Sequence, residues 1–346
     1  MKVLVTGGAG YIGSISVRDL LDAGHDVRVL DTLEKGHRAA VDSRADFFEG
    51  SVGDSAALDL ALRDCDAVLH LAGYIEVGES QKDPAKYFRN NVSAPLVMLD
   101  SMVRHGVRGI VFSSTAAVYG EPESLPIEES ASVAPVNAYG ASKLMFEQCL
   151  DWYGRAYALR SIRLRYFNVA GAWADGSVGE AHQPETHIIP RILQSITSGE
   201  RRFEVFGSDY PTSDGTCVRD YIHVRDLALA HRLALEMLAN GDARLSSIRD
   251  ERGFVCNLGN GNGFSNLEVV RMCAEVTGES VDVVFGPRRE GDPAELVASS
   301  ALARSALRWD PRRPDLAEIV SDAWRWHESH PNGYTDSGVT PAQVAR

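Results

Sequence analysis

Two residues on one predicted helix, Tyr139 and Lys143, have the types and the spacing to form an acid–base pair. Residues four apart on a helix share a face, so the phenol and the ammonium would lie side by side. A free tyrosine has a pKa of about 10, so nearby positive charge must favour its ionised form by roughly 4 kcal/mol before it acts as a base at neutral pH. Thr115 follows an apolar run and adds a hydroxyl that can relay a proton. A core tyrosine beside a surface lysine is the alternative, but the three residues together predict a proton-transfer site.

A glycine-rich turn near the N-terminus has the spacing of a nucleotide site. Gly7, Gly10 and Gly13 separate an apolar run at 2–6 from a helical pattern, and Asp31 ends the next apolar run. Glycines let the backbone approach a pyrophosphate, whose charge then lies at the helix N-terminus. A carboxylate at the position of Asp31 accepts hydrogen bonds from ribose hydroxyls and repels a 2′-phosphate. The pattern therefore predicts bound NAD rather than NADP, with a tight structural turn as the alternative.

A regular alternation of strands and helices would position both groups. Apolar runs predict strands at 2–6, 27–31, 46–49, 67–71, 109–113 and 161–166. Helical periodicity predicts helices at 55–64, 84–105 and 138–156. This alternation is typical of the α/β class with a doubly wound parallel sheet, the Rossmann arrangement.

The sequence changes character after Asn168. Residues 171–187 have no clear period and predict a loop-rich insertion. Further helices are predicted near 188–198, 225–239, 266–277 and 315–328, in a smaller mixed α/β C-terminal substrate domain. The predicted division is a cofactor domain at 1–168 that segments near 220–260 rejoin, a discontinuous substrate-binding domain at 169–334 and a flexible tail at 335–346.

Composition excludes several classes of protein. The chain has 346 residues, 44% of them apolar, and a net charge of −13, so it has no basic surface suited to nucleic acid or to an anionic membrane. No apolar run approaches the ~18 residues that span a bilayer, which favours a cytoplasmic protein. The five cysteines are odd in number and contain no C-x-x-C pair, which indicates reduced thiols and predicts no metal site.

Eight segments carry a resemblance to extended short-chain dehydrogenases/reductases over the chain to about residue 334. They are VTGGAGYIGS at 5–14, HLAGYIEVGES at 70–80, FSSTAAVYGE at 112–121, YGASKLMFEQ at 139–148, LRYFNVAGA at 164–172, DGTCVRDYIHVRDLA at 214–228, NLGNGNGFS at 257–265 and PRREGDPAELVAS at 287–299. The glycine turn and Y-x-x-x-K mark the superfamily, whereas V-R-D-Y-I-H-V and R-R-E-G-D resemble its nucleotide-sugar epimerase branch. The resemblance implies reversible C4′ epimerisation of UDP-galactose and UDP-glucose with NAD. It also implies a homodimer formed through helices at about 90–105 and 139–156, whose apolar residues alternatively belong to the monomer core.

The same resemblance implies a role for individual residues. Thr115 takes the proton-shuttle position, Tyr139 the base position, and Lys143 the position that holds the nicotinamide ribose. The implied cofactor contacts are Gly7, Gly10, Tyr11, Ile12, Gly13, Asp31, Ser51, Val52, Leu71, Ala72, Gly73, Asn90, Ser113, Tyr139, Lys143 and Tyr166. The implied UDP-sugar contacts are Thr115, Asn168, His187, Phe206, Arg219, Tyr221, Arg289, Asp292 and Leu296.

This chain departs from the family pattern at a few of these positions. Ile75 stands where the family often has a lysine, and Ser51 where it has an aspartate, so each position lacks a cofactor contact. His187 stands where some members have asparagine, and it can still donate to a phosphate or a sugar hydroxyl. Leu296 falls where small side chains admit an N-acetyl group and tyrosine excludes it, which predicts measurable but poorer use of UDP-N-acetylglucosamine.

Other functions remain open at this point. Another NAD-dependent epimerase, acting on UDP-N-acetylglucosamine or a UDP-pentose, would share most of these residues. A 4,6-dehydratase needs an acid–base pair after Thr115, where this chain has Ala116 and Ala117. A UDP-glucuronate decarboxylase would need a site for the 6-carboxylate. An inactive NAD-binding scaffold or redox sensor would be expected to lose Tyr139 or Lys143, and both are present.

Overall fold

The fold is described from a computed structural model that covers residues 1–239, 254–289 and 292–335. The predicted tail lies outside these ranges except for its first residue, as does part of the 220–260 stretch. The strands are β1 (Lys2–Thr6), β2 (Asp26–Asp31), β3 (Asp46–Glu49), β4 (Ala67–His70), β5 (Gly109–Thr115), β6 (Arg160–Tyr166), β7 (Asn168–Ala170), β8 (Arg202–Phe206), β9 (Val218–His223), β10 (Phe254–Leu258), β11 (Gly263–Ser265), β12 (Asp282–Gly286) and β13 (Glu295–Leu296). The α-helices are α1 (Tyr11–Asp22), α2 (Ser55–Ala61), α3 (Val77–Lys82), α4 (Pro84–Phe88), α5 (Ala94–His105), α6 (Ala138–Tyr157), α7 (Ile188–Thr197), α8 (Val224–Ala239), α9 (Asn266–Thr277), α10 (Ala301–Ala306) and α11 (Leu316–Ser329). None of these helices is both long enough and apolar enough to cross a membrane.

A seven-stranded parallel sheet forms the centre of the protein and confirms the predicted fold class. Its order is β10-β6-β5-β4-β1-β2-β3. The middle strands are largely buried, and all seven residues of β5 are buried, because helices cover both faces of the sheet. Val17 of α1 and Leu235 of α8 belong to the core on one face, whereas Leu58 of α2, Met98 of α5 and Phe146 of α6 belong to the core on the other.

The strand order reverses between β1 and β4, and this reversal creates a crevice at their carboxyl ends. The chain proceeds from β1 to β2 and β3 on one side and from β4 to β5 and β6 on the other. Ligands of open α/β sheets bind at such a switch point. The loop after β1 and the loop after β4 meet there, since a Cβ added to Gly7 would lie 2.6 Å from the backbone nitrogen of Ala72.

The later part of the chain builds smaller sheets. Strands β11, β9 and β13 are neighbours, β7 pairs with β9, and β12 pairs with β8. Helices α7, α9 and α11 pack together in a separate apolar cluster that includes Ile192, Val269 and Ile319. The predicted helices of this region differ from the observed ones by at most one residue at either end. The predicted insertion at 171–187 contains no helix or strand.

A buried polar network fixes α6 to the central sheet. Arg165 of β6 donates from Nε and Nη2 to the two carboxylate oxygens of Glu147, at 2.9 and 2.6 Å. Ser114 of β5 donates to the same carboxylate at 2.5 Å, and the Arg165 guanidinium also donates to the Tyr119 hydroxyl at 3.0 Å. Both charged side chains are nearly inaccessible, with 1% and 3% of their surface exposed. Removing either charge would leave the other buried without a partner.

We therefore expect Glu147→Ala to lower the free energy of unfolding by about 3–5 kcal/mol, the usual cost of leaving one member of a buried ion pair unpaired. Urea unfolding followed by circular dichroism measures this loss. Glu279→Ala is the matched control, because it removes an ion pair with Arg201 whose side chains are 37% and 49% exposed, and such pairs contribute little. Equal losses in the two variants would contradict the assignment.

Candidate active site

The predicted proton-transfer residues meet where β5 ends and α6 begins. Thr115 is the last residue of β5, and Tyr139 lies in the first turn of α6. The helix starts at a fixed point because the Asn137 side chain accepts a hydrogen bond from the backbone nitrogen of Gly140 at 2.8 Å. Gly140 also permits a close approach to the loop after β5, since a Cβ there would lie 2.5 Å from the carbonyl oxygen of Ala117.

Lys143 lies below this point and is almost fully buried, with 3% of its surface exposed. Its Nζ donates to the carbonyl oxygen of Ser113 at 2.9 Å and lies 5.1 Å from the ring centroid of Phe112. Burial lowers the pKa of Lys143 to about 8. The Lys143 ammonium binds a main-chain oxygen of β5, the strand that carries Thr115. The central sheet therefore sets the position of the ammonium.

Tyr139 and Thr115 are directly connected. Burial raises the pKa of Tyr139, and a side-chain hydrogen bond from Thr115 lowers it. The Thr115 oxygen accepts a hydrogen bond from the backbone nitrogen of Ala117 at 3.1 Å, which leaves its hydroxyl proton for the phenol. Lys143 Nζ lies 6.0 Å from the Tyr139 ring centroid. The Thr115 hydroxyl therefore favours the phenolate, and the effect of the nearby Lys143 ammonium on the pKa of Tyr139 stays a prediction.

The glycine turn has the geometry of a pyrophosphate site. Gly7 has a positive φ of +75°, and a Cβ on Gly13 would lie 2.0 Å from the Gly7 carbonyl oxygen, so these two positions require glycine. Helix α1 begins after Gly10 without any side-chain cap, so its first backbone N–H groups can bind an anion. Tyr11 and Ile12 form the first turn, and the Tyr11 hydroxyl donates to the Gly171 carbonyl oxygen at 2.6 Å. These features fit a dinucleotide.

Asp31 lies at the end of β2, beside the glycine turn, and is 9% exposed. Its two carboxylate oxygens accept hydrogen bonds from the backbone nitrogens of Ala9 and Leu33, at 3.0 and 2.9 Å. Each oxygen keeps a lone pair for a ribose hydroxyl. Beyond β3, the Ser51 hydroxyl accepts a hydrogen bond from the Gly53 backbone nitrogen at 3.1 Å, and Val52 is 7% exposed and packs in the core.

Asn91, which the sequence did not indicate, joins the loop after β4 to α6. Its Oδ1 accepts from the backbone nitrogen of Tyr74 at 2.9 Å, and its Nδ2 donates to the Tyr74 carbonyl at 3.0 Å and to the Ser142 hydroxyl at 3.1 Å. This fixes the loop of Leu71, Ala72 and Gly73 that precedes Tyr74. Asn90 donates to Asn91 Oδ1 at 3.0 Å.

Both asparagines lie in a π-helical turn, Arg89–Ser93, which interrupts the single helix predicted at 84–105. Pro95 explains the interruption. A proline inside a helix lacks an N–H and clashes with the carbonyl four residues earlier, here that of Asn91. The π-helical turn accommodates the proline, and such turns are frequent at functional sites.

Two more predicted cofactor residues meet on the other side of Lys143. The hydroxyls of Ser113 and Tyr166 are hydrogen-bonded to each other across the neighbouring strands β5 and β6. The Tyr166 ring packs edge-on against His231, with ring centroids 6.0 Å apart. Lys143 binds the main chain of Ser113, so these three residues form one wall of the crevice.

The predicted UDP contacts lie mainly on the second sheet. Asn168 and Tyr221 are paired across β7 and β9. Arg219 and Leu296 are paired across β9 and β13, and the Arg219 guanidinium bonds the Asp292 carboxylate and, at 2.7 Å, the Val218 carbonyl. These contacts place Arg219 and the short strand β13 on β9, two residues before Tyr221.

Phe206 and Arg289 form a stacked pair at the end of β8, with the guanidinium carbon 4.0 Å from the ring centroid. Burial lowers the pKa of Arg289. Leu296 packs against an apolar cluster that contains Ala116 and Phe167, so it lies close to the strand end that carries Thr115. This connects the second sheet to the proton-transfer residues.

His187 lies in a different setting, at the N-terminus of α7. Its Nδ1 is 2.8 Å from Glu180 Oε1 and 3.1 Å from Glu185 Oε1, and His182 is part of the same group. We call these four residues the Glu/His cluster. The lack of periodicity over 171–187 predicts only a loop. The E-x-H-x-x-E-x-H spacing of residues 180–187 is the sequence signal that indicates this cluster.

Comparisons with known proteins bear on what this arrangement does. Residues 3–246 match the NAD dependent epimerase/dehydratase family. A UDP-glucose 4-epimerase of Lacticaseibacillus casei is 48% identical over 338 residues, which are 97% of this chain and 99% of that protein. A crystal structure of a UDP-glucose 4-epimerase superposes with a TM-score of 0.91 at 45% identity, covering 97% of this chain and 100% of the other. The Bifidobacterium longum UDP-glucose 4-epimerase in complex with NAD+ and UDP superposes with a TM-score of 0.86 at 35% identity, covering 96% and 100%.

Proposed function

This chain belongs to the NAD-dependent epimerase/dehydratase family, and on that premise we propose that it catalyses the reversible C4′ epimerisation of UDP-galactose and UDP-glucose, with Tyr139, Thr115 and Lys143 as the catalytic residues. The observation that carries the proposal is the convergence of Thr115, the last residue of β5, and Tyr139, in the first turn of α6, beside the buried Lys143, whose Nζ binds the Ser113 carbonyl. A phenol linked to a hydroxyl relay at the end of a crevice is equipped to move one proton to and from a secondary alcohol.

The chemistry requires one proton transfer for each hydride transfer. When bound, NAD accepts the hydride from C4′ of the hexose and returns it to the opposite face of the resulting 4-keto sugar. Tyr139 removes the proton of the 4′-hydroxyl through Thr115 and gives it back in the second half of the reaction, so the balance of atoms is restored. Lys143, Asn90 and Ser113 would hold the nicotinamide ribose.

Anchoring the nucleotide while leaving the sugar free to turn is the second requirement. Arg219 and Arg289 supply planar guanidinium groups that suit a diphosphate, and the Phe206 ring under Arg289 supplies a flat surface for uracil. The Bifidobacterium relative binds UDP according to its description, which supports this use of the second sheet. Since most binding energy then comes from the part that does not react, the hexose is able to present either face.

The residues around Thr115 disfavour the related reactions. A dehydratase needs an acid and a base directly after the threonine, but Ala116 is 5% exposed and packs in an apolar cluster, and Ala117 is also apolar. The presence of both Tyr139 and Lys143 in contact with β5 disfavours an inactive scaffold. The same geometry serves an epimerase of any UDP-hexose or UDP-pentose, so the sugar is decided by the pocket wall.

Leu296 is the residue through which we propose that the sugar is selected. It is half-buried and packs against Ala116 and Phe167, close to Thr115. Leucine is smaller than tyrosine and offers no hydrogen bond to an amide. The pocket therefore admits an N-acetyl group without binding it well.

We also propose that residues 1–168 bind NAD and residues 169–334 bind the UDP-sugar, as the sequence predicted. The strand β10 supports the rejoining of a later segment to the first unit, since Cys256 lies in register with Leu164 of β6 in the central sheet. A cytoplasmic location is supported by the five cysteines, which are all free thiols, as expected in a reducing compartment.

A homodimer through α5 and α6 is the assembly that we propose. Leu99 of α5 and Phe146 and Leu150 of α6 are fully buried and belong to the monomer core. Met145 and Trp152 are instead exposed on α6, with 45% and 64% of their surface accessible, and they lie seven residues apart on one side of the helix. A second copy of α6 could cover this stripe.

Tyr139→Phe keeps the shape of the site and removes the proton-transfer group, so we expect turnover of UDP-galactose to fall by a factor on the order of 10²–10⁴. Conversion to UDP-glucose is measured by chromatography, and NAD content is measured in the same sample. Tyr157→Phe is the matched control, because Tyr157 lies at the far end of α6 and is 46% exposed. Normal turnover in Tyr139→Phe with NAD bound would show that the base has been misassigned.

Leu296→Tyr should abolish activity on UDP-N-acetylglucosamine and largely preserve activity on UDP-galactose, because a steric clash discriminates more sharply than a missing contact. The comparison is kcat/KM for both substrates in wild type, in Leu296→Tyr and in Leu60→Tyr, where Leu60 is a 53% exposed leucine on α2. Equal losses for the two sugars would mean that Leu296 does not line the hexose pocket.

Trp152→Glu should convert the dimer to a monomer, because it places a charge in the centre of the proposed apolar interface. Sedimentation velocity measures the change over a range of protein concentrations. Leu60→Glu introduces the same charge on α2 and should remain dimeric. A wild-type chain that sediments as a monomer, or a dimer unaffected by Trp152→Glu, would refute this interface.

A further inference from the structure

The Glu/His cluster brings four side chains with metal-binding atoms to one point, outside the residues used in the proposed reaction except for His187. Glu180, His182, Glu185 and His187 each offer one such atom, and these atoms lie within 4.8 Å of one another. The two carboxylate side chains are 6% and 4% exposed, and the two imidazoles are 23% and 43% exposed. The carboxylates of the cluster are therefore buried, whereas its imidazoles are partly exposed.

The distances inside the cluster suit four ligands around one ion. His182 Nδ1 lies 3.0 Å from Glu180 Oε1 and 3.6 Å from Glu185 Oε2. His187 Nδ1 lies 2.8 Å from Glu180 Oε1 and 3.1 Å from Glu185 Oε1. A tetrahedral ion with bonds of about 2.0–2.1 Å separates its ligand atoms by about 3.3–3.4 Å. The four observed distances, from 2.8 to 3.6 Å, lie on both sides of that value.

Hydrogen bonds alone do not satisfy the cluster. Each imidazole directs the same ring atom, Nδ1, at both carboxylates, but one N–H points at only one acceptor. The backbone nitrogens of Thr186 and His187 already donate to Glu185 Oε1, at 2.7 and 2.8 Å. The other oxygen, Glu185 Oε2, is buried without a hydrogen-bond partner and faces His182. An unpaired buried carboxylate oxygen is costly, and a cation satisfies it.

We propose that the Glu/His cluster binds one divalent transition-metal ion, and that zinc, with its preference for tetrahedral nitrogen and oxygen ligands, is the ion that fits it best. Two glutamates and one dication are neutral together, so the imidazoles bind as neutral ligands. All four positions are filled by the protein, which is the arrangement of a structural rather than a catalytic ion. The His187 Nε2 stays available to donate to a substrate oxygen.

The ion would fix the 180–187 loop against the cofactor side of the protein. The loop already contacts residues beside the glycine turn, through the Ala181 carbonyl 2.8 Å from His37 Nε2 and the Gln183 carbonyl 3.1 Å from Lys35 Nζ. The His182 ring lies edge-on to Tyr11, with centroids 6.3 Å apart. On its other side the cluster ends at the first turn of α7. One ion would therefore fix both the cofactor side and α7.

Metal content of the untagged wild-type protein is the direct test. Mass spectrometry of the desalted protein should find about one zinc per chain, and removal by a chelator should lower the melting temperature. Returning zinc at 100 to 1,000 times its dissociation constant should raise the melting temperature by about 4–6 °C. Replacement by cobalt should give the visible absorption of a tetrahedral site. These readouts do not depend on epimerase activity, so they succeed or fail separately from the proposed function.

The assignment to these residues is tested with Glu185→Gln and His182→Asn, both of which should lose the bound zinc and the cobalt spectrum. His105→Ala is the matched control, because His105 pairs with a carboxylate at the surface, 3.1 Å from Asp59, and should keep the metal. Should either cluster variant misfold, the wild-type metal analysis and cobalt spectrum decide alone. Wild-type protein with neither zinc nor a zinc-dependent rise in melting temperature would overturn the proposal, and so would zinc that both cluster variants retain.

Discussion

The arrangement of the site depends on one face of α6 lying along the end of β5. Tyr139, Lys143 and Glu147 are spaced four residues apart, and they bond in turn to Thr115, to the carbonyl of Ser113 and to the hydroxyl of Ser114. The three contacts share one helix and one strand, so they cannot shift independently. The buried Glu147–Arg165 pair extends the contact to β6 and fixes the helix along its axis. The proposed proton-transfer group, Tyr139, must lie within hydrogen-bonding distance of its partner. The packing of α6 in the core of the protein fixes it at that position.

The cofactor side is connected to the same helix through Asn91. The switch point between β1 and β4 needs a close approach of two loops, which only a glycine at position 7 allows. Asn91 binds the backbone of Tyr74 in the second loop and the hydroxyl of Ser142, which adjoins Lys143 on α6. The side-chain amide of Asn91, which is buried, therefore holds the second loop and α6 together. This explains why the chain keeps a π-helical turn at this place instead of a regular helix.

The sequence predicted the parts that local physics decides. The periodicity of α6, the apolar runs of β1 and β5, and the glycine turn depend on neighbouring residues, and the structure contains each of them. Strands β7 to β13 were not predicted, because they have two to six residues and derive their stability from pairing with distant segments. The bond from Lys143 to the Ser113 carbonyl was also not predicted, since a main-chain acceptor leaves no mark in the sequence. The Glu/His cluster has a readable spacing, but whether four loop side chains converge depends on how the loop packs.

The charge of the Glu/His cluster affects the region around the glycine turn, where we expect the cofactor to bind. Burial raises the pKa of Tyr11 well above its usual value, and the negative charges of Glu180 and Glu185 raise it further. Tyr11 begins α1, so the potential of these carboxylates reaches the N-terminus that is suited to a pyrophosphate. The carboxylates raise the pKa values of His182 and His187, and positive charge on these imidazoles, or on an ion held between the carboxylates, offsets the repulsion of such an anion. In a chain whose net charge is −13, local cations must offset the charge of anionic nucleotides, and Arg219 and Arg289 are the residues that we propose for this role.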